Sequence, residues 1–217
     1  WSKKELKKVS DIILKNNLML LSDEIHCDLT RKNIQHLPIR TVTNYKNIIV
    51  TVSPSKTFNV AGLPIASIII DDEKLREMWL KETKNKYYIR FAPPLDMVLS
   101  IAAYNKCGYW LEQVLDYIED NFNFMEKYLK ENLPKINYKK PEGTYLAWVN
   151  FGAYVDYKEL LDVLITKYDL LIESGHVFGK PGDGYFRISV ACPRVYLEEG
   201  LKRIVVAIKE LINMNKK

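Results

Sequence analysis

Ile48-Ile49-Val50-Thr51-Val52-Ser53-Pro54-Ser55-Lys56-Thr57-Phe58-Asn59-Val60-Ala61-Gly62 sets an unbroken β-branched run ahead of one lysine among small hydroxyl side chains. A run with no polar alternation reads as a strand covered on both faces. Pro54 ends it, and Gly62 permits the tight backbone that follows. A lysine at a strand end beside Ser and Thr has two readings. It forms a Schiff base with a carbonyl cofactor while the hydroxyls of Ser53 and Ser55 and nearby N–H groups hold a phosphate. The plainer alternative is a lysine in a strand-to-helix turn.

Working outward, Leu18 to Leu21 is a second short apolar run, ending in Ser22-Asp23-Glu24-Ile25-His26, and Ile65 to Ile70 is a third, stopped by Asp71-Asp72. Ahead of them Ser2-Lys3-Lys4-Glu5 is a capping box, and Leu6, Val9 and Ile13 recur at helical spacing. With a helix around Leu75 to Trp79, these elements predict an α/β layer on a largely parallel sheet. Ligands of such sheets bind at the carboxyl ends of the strands, where Asp23 and Lys56 both fall.

Pro93-Pro94 opens a helix through Val98 and Ala102, and Gly108 breaks it. The next helix carries Leu111, Leu115, Ile118, Phe122, Met125 and Leu129 on one stripe, until Pro134 ends it. Strand-like pieces then follow at Tyr145 to Val149, Leu170 to Ile172 and Tyr185 to Val190, around helices near Asp156 to Tyr168 and Arg194 to Met214. The expected division is residues 1–107 as one α/β part, 108–133 as a connecting helix, and 134–217 as a smaller α+β unit.

The 217 residues are 47% hydrophobic and 27% charged, which places the chain among folded globular proteins and excludes disorder as its main state. No apolar run approaches a membrane span. A net charge of +5 is spread along the chain, so nucleic acid is a poor expectation as partner. The dense basic spots, Lys3-Lys4, Lys7-Lys8 and Lys216-Lys217, read as solvated helix faces. Three cysteines, Cys27, Cys107 and Cys192, without C-x-x-C spacing predict neither a disulfide framework nor a zinc site, and point to a reduced cytoplasmic setting. The start at Trp1, directly before a helix cap, reads as a fragment or a processed chain.

Asp23 at the end of its strand suits a partner for a pyridine nitrogen, because a carboxylate there favours the protonated, electron-accepting ring. Its alternative is a capping or turn aspartate. His26 either bonds the phenolic oxygen of such a ring or packs, and Asp23, Glu24 and His26 lack the second cluster a metal site needs, so no metal is expected. In Tyr185-Phe186-Arg187-Ile188-Ser189-Val190, alternation puts Tyr185, Arg187 and Ser189 on one face. Arg187 is suited to bidentate capture of a carboxylate, or else forms a structural ion pair. Arg194, beyond Pro193, reads as structural. Gly175, Gly179, Gly182 and Gly184 read as a mobile turn around Pro181, because no helix follows to make them a phosphate loop.

Ser22 to His26, Ser53 to Leu63, and Tyr185 to Ile188 with Ala191-Cys192-Pro193-Arg194 together closely resemble the class I/II aminotransferase superfamily of fold-type I pyridoxal phosphate enzymes. Within it they are most similar to the MalY/PatB-type cystathionine β-lyases. The resemblance implies the C-terminal part of an aspartate aminotransferase-like large domain followed by the small α+β domain. It implies pyridoxal 5'-phosphate as cofactor, Lys56 as the lysine that binds it, and Asp23 as partner of the ring nitrogen. His26 lies near the ring oxygen by the same resemblance, Ser53 and Ser55 near the phosphate, and Arg187 on the substrate α-carboxylate.

The implied activity is β-cleavage of a carbon–sulfur bond in an amino acid substrate, with transamination as the alternative and a non-catalytic dimerisation or scaffold module as an alternative of another class. The active sites of this family form between two subunits, so a full-length homodimer is expected. Outside the chain lie the family's phosphate loop, ring-stacking aromatic, asparagine and partner-subunit tyrosine, so the 217 residues alone are expected to be inactive. Where many superfamily members carry a basic phosphate ligand, eight positions past the lysine, this chain has Pro64.

Overall fold

The structure is a computed structural model that describes residues 1–89 and 92–215, so the Lys216-Lys217 pair lies outside the described residues. The chain divides into two compact units, Trp1–Gln113 and Val114–Lys217, with the division inside its longest helix.

In the first unit, α1 (Lys3–Lys15) starts at the capping box: Ser2 Oγ accepts from the Glu5 amide at 3.3 Å, and Glu5 Oε2 accepts from the Ser2 amide at 2.8 Å. Its apolar face, Leu6 and Ile13, packs into a small core with Ile39, Ile48 and Val50. The sheet holds β1 (Leu20–Asp23), β2 (Ile48–Val52) and β3 (Ser67–Ile70) in that order. Strands β1 and β2 are parallel, with Asp23 opposite Thr51, whereas β3 joins β2 antiparallel, with Ile70 opposite Ile49. The expectation of a largely parallel sheet thus holds for β1 and β2 and is corrected at β3. The parallel β1–β2 return runs through the long link of residues 24–47, whereas the β2–β3 link, residues 53–66, is shorter and carries the four-residue α2 (Pro54–Thr57). Leu21 and Ile68 share the face opposite to buried Val50 and are exposed among the described residues.

Asp72 then caps α3 (Glu73–Lys81), accepting from the Leu75 amide at 2.8 Å. Helix α4 (Pro94–Lys106) begins on a proline, and α5 (Gly108–Asn132) follows after Cys107.

The second unit has a three-stranded antiparallel sheet of β4 (Leu146–Asn150), β5 (Glu173–Ser174) and β6 (Tyr185–Ser189), with β6 in the centre. Phe122, Met125 and Leu129 of α5 enter a core with Leu160 and Leu164 of α6 (Tyr157–Thr166), Phe186 of β6, and Leu201, Ile204 and Ile208 of α7 (Arg194–Met214). The expected strand at Leu170 to Ile172 is displaced to Glu173–Ser174. The Leu170 amide bonds the Leu164 carbonyl at 2.9 Å and so closes the end of α6, which takes this stretch out of the ladder. The glycine-rich turn is built from two 3-10 turns, Gly175–Phe178 and Lys180–Gly182. Gly175 and Gly182 lie back to back, so closely that a Cβ on either would strike the other's carbonyl oxygen. Among the described residues no helix is long and apolar enough to cross a membrane.

Candidate functional site

The parallel β1–β2 pair sends two arms out of the same end of the sheet. On the first, Asp23 Oδ1 accepts from Thr51 Oγ1 at 3.1 Å and from the Ile25 amide at 3.2 Å. Both bonds fall on one oxygen, so Oδ2 keeps its acceptor capacity. Glu24 is turned inward and buried, bonding His36 Nε2 at 2.8 Å and accepting from the Ile39 amide at 3.1 Å. That bond set anchors the long connection from β1 to β2. His26 and Cys27 are half-buried in the turn that follows.

On the second arm, Ser53 caps α2. Its hydroxyl oxygen accepts from the Ser55 amide at 3.1 Å, and its proton goes to the Ile65 carbonyl at 2.7 Å. Lys56 is half-buried on this single helical turn, as is Ser55. The turn out of α2 is made by Asn59 in the left-handed region, at φ 54°, and not by Gly62, which has open space where a Cβ would stand. Asparagine tolerates that conformation because its short polar side chain bonds locally.

The two arms meet again at a pair the sequence reading did not single out. Thr57 Oγ1, on a residue only 1% exposed, donates to Asp28 Oδ2 at 2.9 Å, and Tyr104 OH of α4 donates to the same oxygen at 3.4 Å. Burial, with the charge of Asp28 adding to it, pushes the Cys27 thiol up to about 11 and the Tyr104 hydroxyl up to about 12. The local signal is that Thr57 adjoins Lys56, while Asp28 lies just past the run from Ser22 to His26.

In the second unit, Tyr185 and Arg187 are half-buried on one face of β6 and Phe186 and Ile188 are buried on the other, as alternation requires. Arg187 pairs with Glu173 directly across the β5–β6 register, and the Phe178 ring lies 4.9 Å from its guanidinium carbon. The side chain keeps 37% exposure, so its remaining N–H groups are open to a second acceptor. Arg194 is structural: its Nε donates to Asn121 Oδ1 at 2.7 Å and its guanidinium carbon lies 4.6 Å from the Phe124 ring centre.

Asp23, His26, Ser53, Ser55 and Lys56 therefore belong to the first unit, and Arg187 to the second. Among the described residues no group of three or more His, Cys, Asp or Glu side chains is arranged to hold a metal ion.

A family model described as aminotransferase class I and II matches residues 1–204. The chain is 34% identical to cystathionine β-lyase PatB of Bacillus subtilis, over 96% of this chain and 54% of the relative. It is 30% identical to protein MalY of Escherichia coli, again over 96% of this chain and 54% of the relative. The solved PLP-bound C-S lyase of Staphylococcus hominis superposes with a TM-score of 0.89 at 37% identity, covering 97% of this chain and 55% of that one. The chain thus spans about half the length of the relatives it matches.

Proposed function

We propose, because the chain belongs to the aminotransferase class I and II family, that the full-length protein is a pyridoxal-phosphate-dependent carbon–sulfur β-lyase. The observation that carries this reading is the parallel β1–β2 pair, which brings Asp23 and the Lys56 turn to one end of one sheet. The similarity to PatB and to the Staphylococcus hominis lyase supports the choice of reaction.

The residues present fit the cofactor. Lys56 offers an amine on a half-buried turn, and Asp23 keeps one carboxylate oxygen open while the other is fixed by Thr51. In this reading Lys56 would hold the cofactor through its amine, Asp23 would sit at the ring nitrogen, His26 at the ring oxygen and Ser55 at the phosphate. Ser53 serves the site mainly as the cap of α2, since its proton is committed to Ile65. Pro64, with neither charge nor N–H, leaves the phosphate to backbone N–H groups and hydroxyls.

Bound there, pyridoxal phosphate supplies an electron-poor ring that accepts the electron pair freed at the substrate α-carbon. Asp23 would accept a hydrogen bond from the ring N–H and so favour the protonated ring. In this reading Arg187 would bind the substrate α-carboxylate, and the Lys56 amine would take the α-proton. In β-cleavage the carbon–sulfur bond would break with its electron pair leaving on the thiolate, and water would convert the three-carbon remainder to pyruvate and ammonia. Cystathionine or a cysteine conjugate is the proposed substrate class, and a homodimer the proposed assembly. The 217-residue chain spans about half of its relatives' length, and little turnover is expected of it alone.

The test is pyruvate release from cystathionine by the full-length protein without a keto-acid acceptor. Release independent of an acceptor is expected. Release that requires one would make the protein an aminotransferase, and absence of any cofactor band would leave only a scaffold role.

A further inference from the structure

We propose that Asp28 and Thr57 are a positioning pair that sets Lys56 against the arm carrying Asp23 and His26; this rests on Lys56 being the cofactor lysine. Helix α2 has four residues and cannot hold itself, since isolated helices need several turns to be stable in water. Its position comes from what it is bonded to. At its start Ser53 ties it to Ile65, which belongs to the link toward β3. At its end the bond from Thr57 to Asp28 ties it to the first arm, across 29 residues of sequence.

Two polar cross-links therefore bracket the site. Thr51 to Asp23 joins the arms at the level of the strands, and Thr57 to Asp28 joins them again beyond it. His26 lies between the brackets on one arm and Lys56 on the other. The second bracket is the stronger, because Thr57 is buried and its hydroxyl bonds a carboxylate with little competition from water.

Asp28 also gathers α4 to the same point. Tyr104 donates to it, and the Phe58 ring next to Thr57 meets the Tyr104 ring edge-on at 5.2 Å. The Trp110 ring lies on the other partner of that contact, 6.2 Å from Phe58.

The experiment uses the full-length protein and added pyridoxal phosphate, and reads the visible band of the bound cofactor. Thr57→Val keeps the shape and removes the donor, so affinity is expected to fall about tenfold or more. The pH midpoint of the band should shift as well, which a purely structural contact would not cause. Thr57→Ser, which keeps the hydroxyl, should restore both within about threefold of wild type. In the cofactor-free protein, thermal melts of Asp28→Ala, Thr57→Val and the double variant should be non-additive. If Thr57→Val does not fold, Asp28→Asn carries the test, with an expected loss of about tenfold from the missing charge. A wild-type band with unchanged affinity and midpoint in Thr57→Val or Asp28→Asn overturns the pair alone. No band in the wild type overturns the Lys56 reading and the pair with it.

Discussion

Asn121→Ala removes the side chain that holds the turn between β6 and α7. Asn121 is fully buried; its Nδ2 donates to the Val190 carbonyl at 2.8 Å and to the Cys192 carbonyl at 2.9 Å, and its Oδ1 accepts from Arg194 Nε at 2.7 Å. The alanine variant leaves three groups without their partner. A buried group left unsatisfied costs about 1–3 kcal/mol. Val190 is itself 0% exposed, so its carbonyl bears that cost in full. Cys192 and Arg194 lie where water reaches part of each residue, so they recover some of theirs. The expected loss is about 2–4 kcal/mol, or roughly 4–16 °C in Tm for a chain of this size. Urea unfolding followed by far-UV circular dichroism measures it, with exposed Asn213→Ala as a control expected to stay within about 0.5 kcal/mol. An Asn121→Ala loss no larger than that control would refute the claim that these bonds hold the turn.

Further outcomes follow from other contacts. Gly175→Ala would drive a Cβ into the Gly182 carbonyl and to 2.8 Å from Trp148 Cη2, so thermal melting should report a loss of about 2 kcal/mol or more. Glu173→Gln breaks a half-exposed pair worth about 1 kcal/mol at most, so stability should barely move; the guanidinium of Arg187 is freed, and KM for the amino acid should fall. The Cys27 pKa is raised from an ordinary 9.0 to about 11, so the folded state holds that proton more tightly. Its contribution to stability is complete below pH 9 and lost as pH rises toward 11. Urea midpoints should therefore fall across that window, less steeply in Cys27→Ala, and Cys27 should alkylate slowly at neutral pH.

The parts of the fold that were legible in the sequence are those written in neighbouring residues. Ser2 and Glu5 announce α1, the β-branched run into Ser53-Pro54 announces β2 and its stop, and the stripe from Ile118 to Leu129 announces the buried face of α5. Asp23 and Lys56 could be placed at one sheet end because each closes an apolar run. The direction of β3 was not legible, because Ile65 to Ile70 reads alike in either orientation. Leu170 to Ile172 has strand composition, but its first amide is needed to close α6. Thr57 with Asp28, Arg187 with Glu173, and Asn121 with Val190 are pairings between distant segments, which no local period encodes. Gly175 and Gly182 read as turn glycines, yet what requires them is each other's backbone.

The central claim is that Lys56 carries the cofactor. Borohydride reduction of the full-length protein with pyridoxal phosphate, followed by peptide mass mapping, tests it directly. A phosphopyridoxyl group on Lys56, lost in Lys56→Ala, is the expected result. A label on another lysine, or none, would contradict it.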